Sequence, residues 1–138
     1  MNPQLAVKQM LAQKAGGSVV TITAALARNP IRGVTAVPMI TKGGLETIAQ
    51  HLAMEYAKDG IRVNAVAPGP VYTPLHRNTP QDVMESLSPM GRPSMVKDIA
   101  DAVMYLTRGR DRHGPRLVRR WRRAFRPLVM VPAAVEHQ

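Results

Sequence analysis

The sequence predicts an α/β fold in which helices cover a parallel sheet, and three features support this class. Two short β-branched segments bounded by glycine or proline, residues 18–23 (SVVTIT) and 61–66 (IRVNAV), have the composition of buried strands. Between them, residues 45–56 repeat apolar residues at helical spacing, and residues 95–107 do so again. Strands that alternate with helices are typical of β-α-β units, and therefore of a parallel sheet.

The first predicted helix covers residues 4–14 and is ended by the glycine pair at residues 16–17. Its apolar residues at helical spacing, predicted to face the core, are Leu5, Ala6, Met10 and Leu11. The segment RNPIRGVT, residues 28–35, contains proline and glycine without a period, and we predict it to be a loop. The helix and the loop therefore flank the first strand.

The central helix is predicted from apolar residues at i, i+3, i+4, i+7, i+8 and i+11, which are Leu45, Ile48, Ala49, Leu52, Ala53 and Tyr56. The polar residues predicted to lie mostly on the other side are Glu46, Gln50, Glu55 and Lys58. Gly60 follows as a predicted C-terminal cap, because glycine adopts the left-handed conformation that ends many helices.

Residues 70–94 are proline-rich and are predicted to be mostly loop, with a short helix near residues 81–87. Ser94 is a predicted N-cap for the last helix, since a serine side chain accepts a hydrogen bond from the first helical turn. The side chains predicted to face inward from that helix are Ile99, Ala102, Val103 and Leu106.

The positive charge is unevenly distributed along the 138 residues, whose formal net charge is +10. Residues 1–107 carry ten lysines and arginines against seven acids, whereas residues 108–138 carry nine arginines against two acids. We therefore divide the sequence into a globular portion, 1–107, and an arginine-rich tail, 108–138. The absence of cysteine excludes disulfides and thiolate metal ligands, and the histidine spacing predicts no metal site. With no apolar run near the roughly 20 residues of a spanning helix, we expect a soluble cytoplasmic protein.

Three segments follow one another in an informative order: GGSVVTIT, then TKGGLETIAQHLAMEYAKDGIRVNAVAPGPVYTP, then PMGRPSMVKDIADAVMYL. In this order and spacing they resemble the C-terminal half of a short-chain dehydrogenase/reductase, over roughly residues 6–106. The resemblance implies a partial Rossmann-like, doubly wound parallel sheet, of which this chain holds the C-terminal half only, followed by a non-homologous basic tail. It also implies exchange of a hydride between NAD or NADP and a carbonyl or alcohol.

The resemblance assigns site residues position by position. Lys42 matches the family's lysine, which holds the ribose hydroxyls and lowers the pKa of a tyrosine one helical turn earlier. The residues that match the turn holding the nicotinamide carboxamide are Pro68, Gly69, Val71 and Thr73. The alternative interpretation of Lys42 is a solvated lysine at a helix start, and that of Thr73 is a plain loop hydroxyl.

The proton-transfer residues of the family are not matched. The tyrosine position holds Pro38, which has neither a hydroxyl nor a backbone N–H, and the serine position is Ala24 or Ala25. Thr23 is a weak substitute donor for the serine. Losing one proton-transfer group typically lowers the rate roughly 10²–10⁴-fold, so we expect a poor catalyst.

The remaining candidates for the tyrosine are the three tyrosines of the chain, Tyr56, Tyr72 and Tyr105. Tyr56 and Tyr105 lie on apolar helix faces and are predicted to be core residues. Tyr72 lies in the predicted cofactor loop and could approach the site.

The family's glycine-rich turn, which places the cofactor pyrophosphate at a helix N-terminus, is not found in this sequence. We therefore do not expect the chain alone to bind a complete NAD or NADP. Only two of the family's seven strands are recognised, and a parallel sheet needs cover on both faces and paired edges. The isolated chain is expected to fold poorly, or only with a partner.

The arginine-rich tail has three interpretations. In RGRDRHGPRLVRRWRRAFR, residues 108–126, arginines could contact nucleic-acid phosphates while Trp121 stacks on a base. The same stretch could form a basic amphipathic helix on an anionic membrane, with an apolar face made of Leu117, Trp121, Ala124 and Phe125. The third interpretation, which we prefer, is a frameshift.

The frameshift follows from codon arithmetic. If the arginine codons are CGN, moving one base along residues 119–122, RRWR, permits Val-Asp-Gly-Gly. The stretch 112–122 likewise permits V-T-G-x-V-L-Y-V-D-G-G, which resembles the family's last strand. Glycine, aspartate and valine codons all begin with G. Where the preceding codon ends in C, a frame shifted by one base reads this C and G as the start of CGN, an arginine codon.

Two function classes remain beside an NAD(P)-dependent oxidoreductase acting on a small carbonyl or alcohol. In the family the long helix, here residues 42–58, pairs subunits, so the chain could be a non-catalytic module that docks on itself or on an intact homologue. The tail could instead make it a nucleic-acid-binding or membrane-binding protein. The sequence does not identify the substrate or distinguish NAD from NADP.

Overall fold

The computed structural model describes residues 3–29 and 36–108, and this part of the chain contains four α-helices and two strands. In chain order they are α1 (Pro3–Gln13), β1 (Gly17–Ile22), α2 (Ala36–Tyr56), β2 (Ile61–Val66), α3 (Gln81–Ser86) and α4 (Val96–Arg108). Short 3-10 turns lie at Ala25–Ala27, Ala57–Asp59 and Pro74–His76. All the predicted strands and helices are therefore present, although α2 begins well before the apolar pattern that predicted it.

The two strands pair in parallel, with a register that runs from Gly17 opposite Ile61 to Ile22 opposite Val66. One face of the sheet packs on α1 and α2 through a buried cluster formed by Val7, Ala49, Leu52, Ala53, Ile61, Val63 and Ala65. The other face packs on α4 through Val66, Ala102 and Leu106, with Ile99 and Val103 beside them. The predicted parallel sheet covered by helices is confirmed, and so is the inward face predicted for α4.

The two strands differ in exposure. The apolar residues of β2 are almost completely buried, whereas every residue of β1 is at least partly exposed. The N–H groups of Gly17 and Thr23 donate to the carbonyls of Gly60 and Val66. Because hydrogen-bonding direction alternates along a parallel strand, the backbone groups of Ser18, Val20 and Ile22 point to the other edge. The accessible edge of this sheet therefore belongs to β1, while poor folding of the isolated chain stays a prediction.

The buried faces of α1 and α2 agree with the predicted ones only in part. The predicted residues that lie in the buried cluster or pack against it are Met10, Ala49, Leu52, Ala53 and Tyr56. In α1 the buried residue is Val7, and Leu5 is 63% exposed. In α2 the predicted core residue Ile48 is 47% exposed, while Glu46, predicted to lie on the polar side, is only 5% exposed. Apolar residues occur on most sides of α2, so its sequence period does not choose one face. Arg28 forms an ion pair with Glu46, and this counter-charge allows the carboxylate to be buried.

Side chains from both strands hold the last turn of α4. The Arg62 guanidinium donates to the carbonyls of Leu106 at 2.8 Å and Thr107 at 3.1 Å, and the Ser18 hydroxyl donates to Leu106 at 3.3 Å. These bonds satisfy carbonyls that a helix C-terminus leaves without an intrahelical partner.

The first turn of α4 is capped differently from the prediction. The Met95 N–H donates to the Asp98 carboxylate at 2.9 Å, so Asp98 reaches back over the helix start. The Ser94 backbone instead accepts a hydrogen bond from the Tyr72 N–H and donates one to the Pro70 carbonyl. Ser94 therefore ties the segment after β2 to α4 through its backbone, and the prediction of Ser94 as N-cap is wrong.

A glycine with a left-handed backbone precedes each strand: Gly16 has φ 67° and Gly60 has φ 69°. The cap predicted at Gly60 is confirmed by this geometry. The two glycines meet, since a Cβ built on Gly16 would lie 2.7 Å from the Gly60 carbonyl oxygen.

Replacing Gly16 by alanine is expected to lower the free energy of unfolding by roughly 1–3 kcal/mol, because the new methyl group overlaps backbone at a positive φ. Gly44→Ala is the matched control, since a Cβ there meets nothing within 4 Å on α2. That control should raise the free energy of unfolding by roughly 0.5–1 kcal/mol. Urea denaturation followed by circular dichroism compares the two, and effects of the same sign would contradict the Gly16–Gly60 contact.

Several predictions fall on residues 30–35 and 109–138, which lie outside the described residues. Most of the predicted loop 28–35 is among them, as are nearly all of the arginine-rich tail and its three interpretations. The division at residue 107 stays a prediction, although α4 continues to Arg108. Within residues 3–29 and 36–108, no helix is long and apolar enough to cross a membrane, and no three metal-ligating side chains cluster.

Candidate cofactor site

Three segments meet at the carboxyl end of the two strands. The start of α2 reaches the end of β1 through Lys42, and the segment after β1 reaches the segment after β2 through a hydrogen bond from the Ala25 N–H to the Pro68 carbonyl, at 2.8 Å. Ligands of open α/β sheets bind beyond the carboxyl ends of the strands. This edge is therefore the candidate site, and it contains the positions singled out in the sequence.

Lys42 lies at the carboxyl end of β1. Its Nζ donates to the carbonyl of Ile22, the last residue of β1, at 3.0 Å, in an exposed hydrogen bond. That carbonyl points away from β2, so the ammonium is held at this end of the sheet while it stays accessible to solvent. Both interpretations of Lys42, a ribose ligand and a solvated lysine, stay predictions.

Pro38 is the third residue of α2 and is exposed. It lies four residues before Lys42, so the two positions share one helix face. Proline is tolerated in the first helical turn, where its missing N–H has no intrahelical partner to lose. The Thr41 hydroxyl is within hydrogen-bond distance of the carbonyls of Val37 and Pro38. This position therefore provides no proton donor to the site.

The segment after β1 directs its one hydroxyl into the protein. Thr23 is 3% exposed, and its Oγ1 donates to the Val66 carbonyl at 3.2 Å. This geometry does not favour Thr23 as the substitute donor, because the proton is already used inside the sheet. Ala24 and Ala25, the two candidates for the serine position, are partly exposed and offer no side-chain donor.

The turn after β2 is fixed by backbone bonds. Val71 pairs with Ser94 in an isolated parallel bridge, and the Tyr72 N–H donates to the Ser94 carbonyl at 2.9 Å. Pro68 and Gly69 are half-buried. Thr73 precedes the 3-10 turn Pro74–His76, and its hydroxyl makes no capping hydrogen bond there. The turn thus presents Thr73 from a rigid backbone close to the start of α4.

Two of the three tyrosines belong to the apolar clusters and do not replace the residue at position 38. Tyr56 and Tyr105 pack against the two apolar clusters, as predicted. A hydrogen bond to Glu55 raises the pKa of Tyr56, which makes it a weaker acid than a free tyrosine. Tyr72 is exposed beside the turn after β2, and its approach to the site stays a prediction.

The sequence analysis missed one charged pair near this site. Glu46 lies on α2 one turn after Lys42 and forms an ion pair with Arg28, the residue that follows the turn Ala25–Ala27. The sequence indicated only the place of Glu46, four residues after Lys42 on the same helix face, and the pairing with Arg28 required the structure.

A family model described as enoyl-(acyl carrier protein) reductase matches residues 4–112. The chain belongs to the short-chain dehydrogenase/reductase family. Glucose 1-dehydrogenase of Gluconobacter oxydans (strain 621H) is 44% identical over 71 residues, which are 48% of this chain and 27% of that protein. The family and the partial Rossmann-like fold implied by the resemblance are thus confirmed.

Solved structures of the family agree. Acetoin dehydrogenase from Enterobacter cloacae is 30% identical, with a TM-score of 0.66 over 76% of this chain and 42% of that chain. A putative 2-deoxy-d-gluconate 3-dehydrogenase from Agrobacterium tumefaciens, with bound NADP, is 32% identical, with a TM-score of 0.67 over 76% of this chain and 44% of that chain. The chain spans less than half the length of these relatives, and NAD or NADP is confirmed as the cofactor of the family.

The residues present fit one end of such a cofactor. The ammonium of Lys42 and the hydroxyl of Thr73 have the donor chemistry that ribose hydroxyls and a carboxamide need. These two side chains therefore fit the nicotinamide riboside end of NAD(P). No glycine-rich turn for a pyrophosphate occurs in the sequence.

Proposed function

We propose that this chain is the C-terminal, nicotinamide-side portion of a short-chain oxidoreductase that has lost its proton-transfer residues and is catalytically impaired. One observation carries the proposal: Lys42 is anchored at the carboxyl end of β1, while Pro38, one helical turn earlier on the same face, holds no acid. The chain covers 42% and 44% of two solved structures of the family, so it corresponds to a portion of their fold.

In this proposal the chain's residues bind and orient the nicotinamide end of the cofactor. Lys42 holds the ribose of NAD or NADP, Thr73 and the backbone of residues 68–71 hold the carboxamide, and the bound cofactor supplies or accepts the hydride. A small carbonyl or alcohol would be the substrate, as the names of the dehydrogenase relatives suggest for those proteins. Proton transfer lacks its usual group, because neither Pro38 nor Ala24 and Ala25 can supply it. A cytoplasmic location belongs to the proposal and is supported by the absence of cysteine.

The proposal predicts weak binding of nicotinamide mononucleotide and no comparable binding of adenosine monophosphate. Titration of the full chain should shift the backbone amide resonances of Lys42 and Thr73. Lys42→Met should weaken this binding about tenfold or more, because a hydrogen bond to a charged group is lost. Lys58→Met is the matched control, since Lys58 lies on the 3-10 turn beyond the far end of α2. Equal binding of the two nucleotides, or equal effects of the two substitutions, would contradict the proposal.

A second candidate function, from a different class, is that of a non-catalytic module that pairs with another family member. Large apolar side chains are exposed along α2, namely Val37, Ile40, Ile48 and Met54. Exposed apolar surface on one helix is typical of an interaction site, and this one overlaps the predicted pairing helix, residues 42–58.

Co-expression with an intact family member, followed by chemical crosslinking, tests the second candidate. A mixed complex that Ile48→Asp weakens would support it, with Val83→Asp on α3 as the exposed apolar control. Monomeric or aggregated material alone would contradict it. Binding of nucleic acid or an anionic membrane through residues 108–126 remains a further prediction. It is tested by salt-sensitive binding that disappears when residues 108–138 are removed.

A further inference from the structure

Glu46 is a buried acid without an obvious structural task. Its side chain lies between α2 and the segment after β1, and Arg28 approaches its Oε1. Within the described residues that oxygen accepts no hydrogen bond, so charge from Arg28 is its compensation. A buried ion pair is weak evidence for stability, since well-packed apolar residues in its place are often as stable or more so.

The pair adds to the contact that α2 makes with the end of β1, and extends it to the segment after β1. Lys42 bonds the Ile22 carbonyl, and Glu46 pairs with Arg28 one helical turn further along the same face. Between these two contacts lie Ala24 and Ala25, the serine position. Ala25 in turn donates to Pro68, the first residue of the nicotinamide turn.

We propose that Glu46 is a positioning residue: through Arg28 it holds the turn Ala25–Ala27 on α2 and so sets the hydrogen bond between Ala25 and Pro68. This role rests on the proposed function in one respect, namely that the turn after β2 holds the nicotinamide. The geometric part stands without any nucleotide. The pair holds one rigid unit made of the end of β1, the start of α2 and the turn after β2.

Amide hydrogen exchange of the full chain, without nucleotide, separates positioning from general stability. The Ala25 N–H reports the bond to Pro68, and the Thr23 N–H, which bonds Val66 at 2.8 Å, reports the sheet itself. In Glu46→Gln and in Arg28→Met, exchange at Ala25 should accelerate about tenfold or more while exchange at Thr23 is unchanged. Arg28→Lys retains the charge and should restore slow exchange at Ala25. Lys97→Met, which breaks the exposed pair with Asp101 on α4, should leave both amides unchanged.

Two results would overturn the proposal. Unchanged exchange at Ala25 in the variants would show that the pair does not hold the turn, and equal acceleration at Ala25 and Thr23 would show a plain stabilising role. If Glu46→Gln does not fold, the same comparison is made with Arg28→Met and Arg28→Lys, which change the more exposed residue of the ion pair. If exchange at Ala25 responds but nicotinamide mononucleotide does not bind, the positioning role stands and the proposed function falls.

Discussion

Pro38→Tyr is expected to introduce a phenol whose pKa lies roughly 1 unit or more below the ordinary value of about 10, because the Lys42 ammonium one helical turn away favours the phenolate. Absorbance titration of the phenolate band measures the pKa of the new phenol. Pro38→Phe is the control, because it lacks only this hydroxyl. The chain's own Tyr56 does not interfere, since its hydrogen bond to Glu55 raises its pKa. Adding Lys42→Met should return the pKa of the new phenol towards its ordinary value.

The same substitution should restore part of the chemistry. Combined with Ala25→Ser, Pro38→Tyr is expected to raise the rate of carbonyl reduction roughly 10²–10⁴-fold with reduced nicotinamide mononucleotide as the hydride donor, because a positioned proton donor is regained. Oxidation of reduced nicotinamide mononucleotide in the presence of a small carbonyl compound provides the assay, with Pro38→Phe and Ala25→Ser together as control. If the phenol pKa keeps its ordinary value and does not change on Lys42→Met, positions 38 and 42 do not share a site.

Met84→Ala is expected to lower the free energy of unfolding by roughly 2–5 kcal/mol, since it deletes a large buried side chain and leaves a cavity. Met84 lies on α3 and is 1% exposed, which makes it the anchor of the long segment between β2 and α4. Met90→Ala is the matched control, because Met90 is 46% exposed and its change should stay within about 0.5 kcal/mol. Urea denaturation midpoints compare them, and similar midpoints would mean that this segment does not pack on the core.

Much of the fold could be predicted because the relevant signals are local. The two strands are short β-branched runs ended by glycine or proline, and β2 occurs over the same residues as predicted. The apolar stripe of α4 is separated cleanly from its charged residues, so its buried face was also predicted.

The predicted stripe of α2 reaches the core through Ala49, Leu52 and Ala53, whereas the burial of Val7 and Glu46 could not be predicted, because it depends on tertiary partners. Glu46 is buried only because Arg28, eighteen positions earlier, lies against it. The prediction of the α4 cap was wrong for a related reason. Ser94 pairs with the segment after β2, and Asp98 caps the helix instead. No local pattern contains either of these distant contacts.

For the candidate site, the sequence located the positions but not their bonds. Lys42 and the turn at residues 68–73 were predicted from the resemblance, and the structure places them at the same end of the sheet. That Lys42 bonds the Ile22 carbonyl, and that the Thr23 hydroxyl turns into the sheet, required three-dimensional information. The missing acid at Pro38, by contrast, was visible from the sequence alone.

The contact between Gly16 and Gly60 sets the alignment of the two strands by backbone alone. None of the atoms in that contact belongs to a residue assigned to binding or proton transfer. The residues that align the two strands are therefore different from the residues assigned to the chemistry. A substitution at a position such as Pro38 therefore leaves this backbone contact in place, and resemblance in shape alone is a poor guide to turnover.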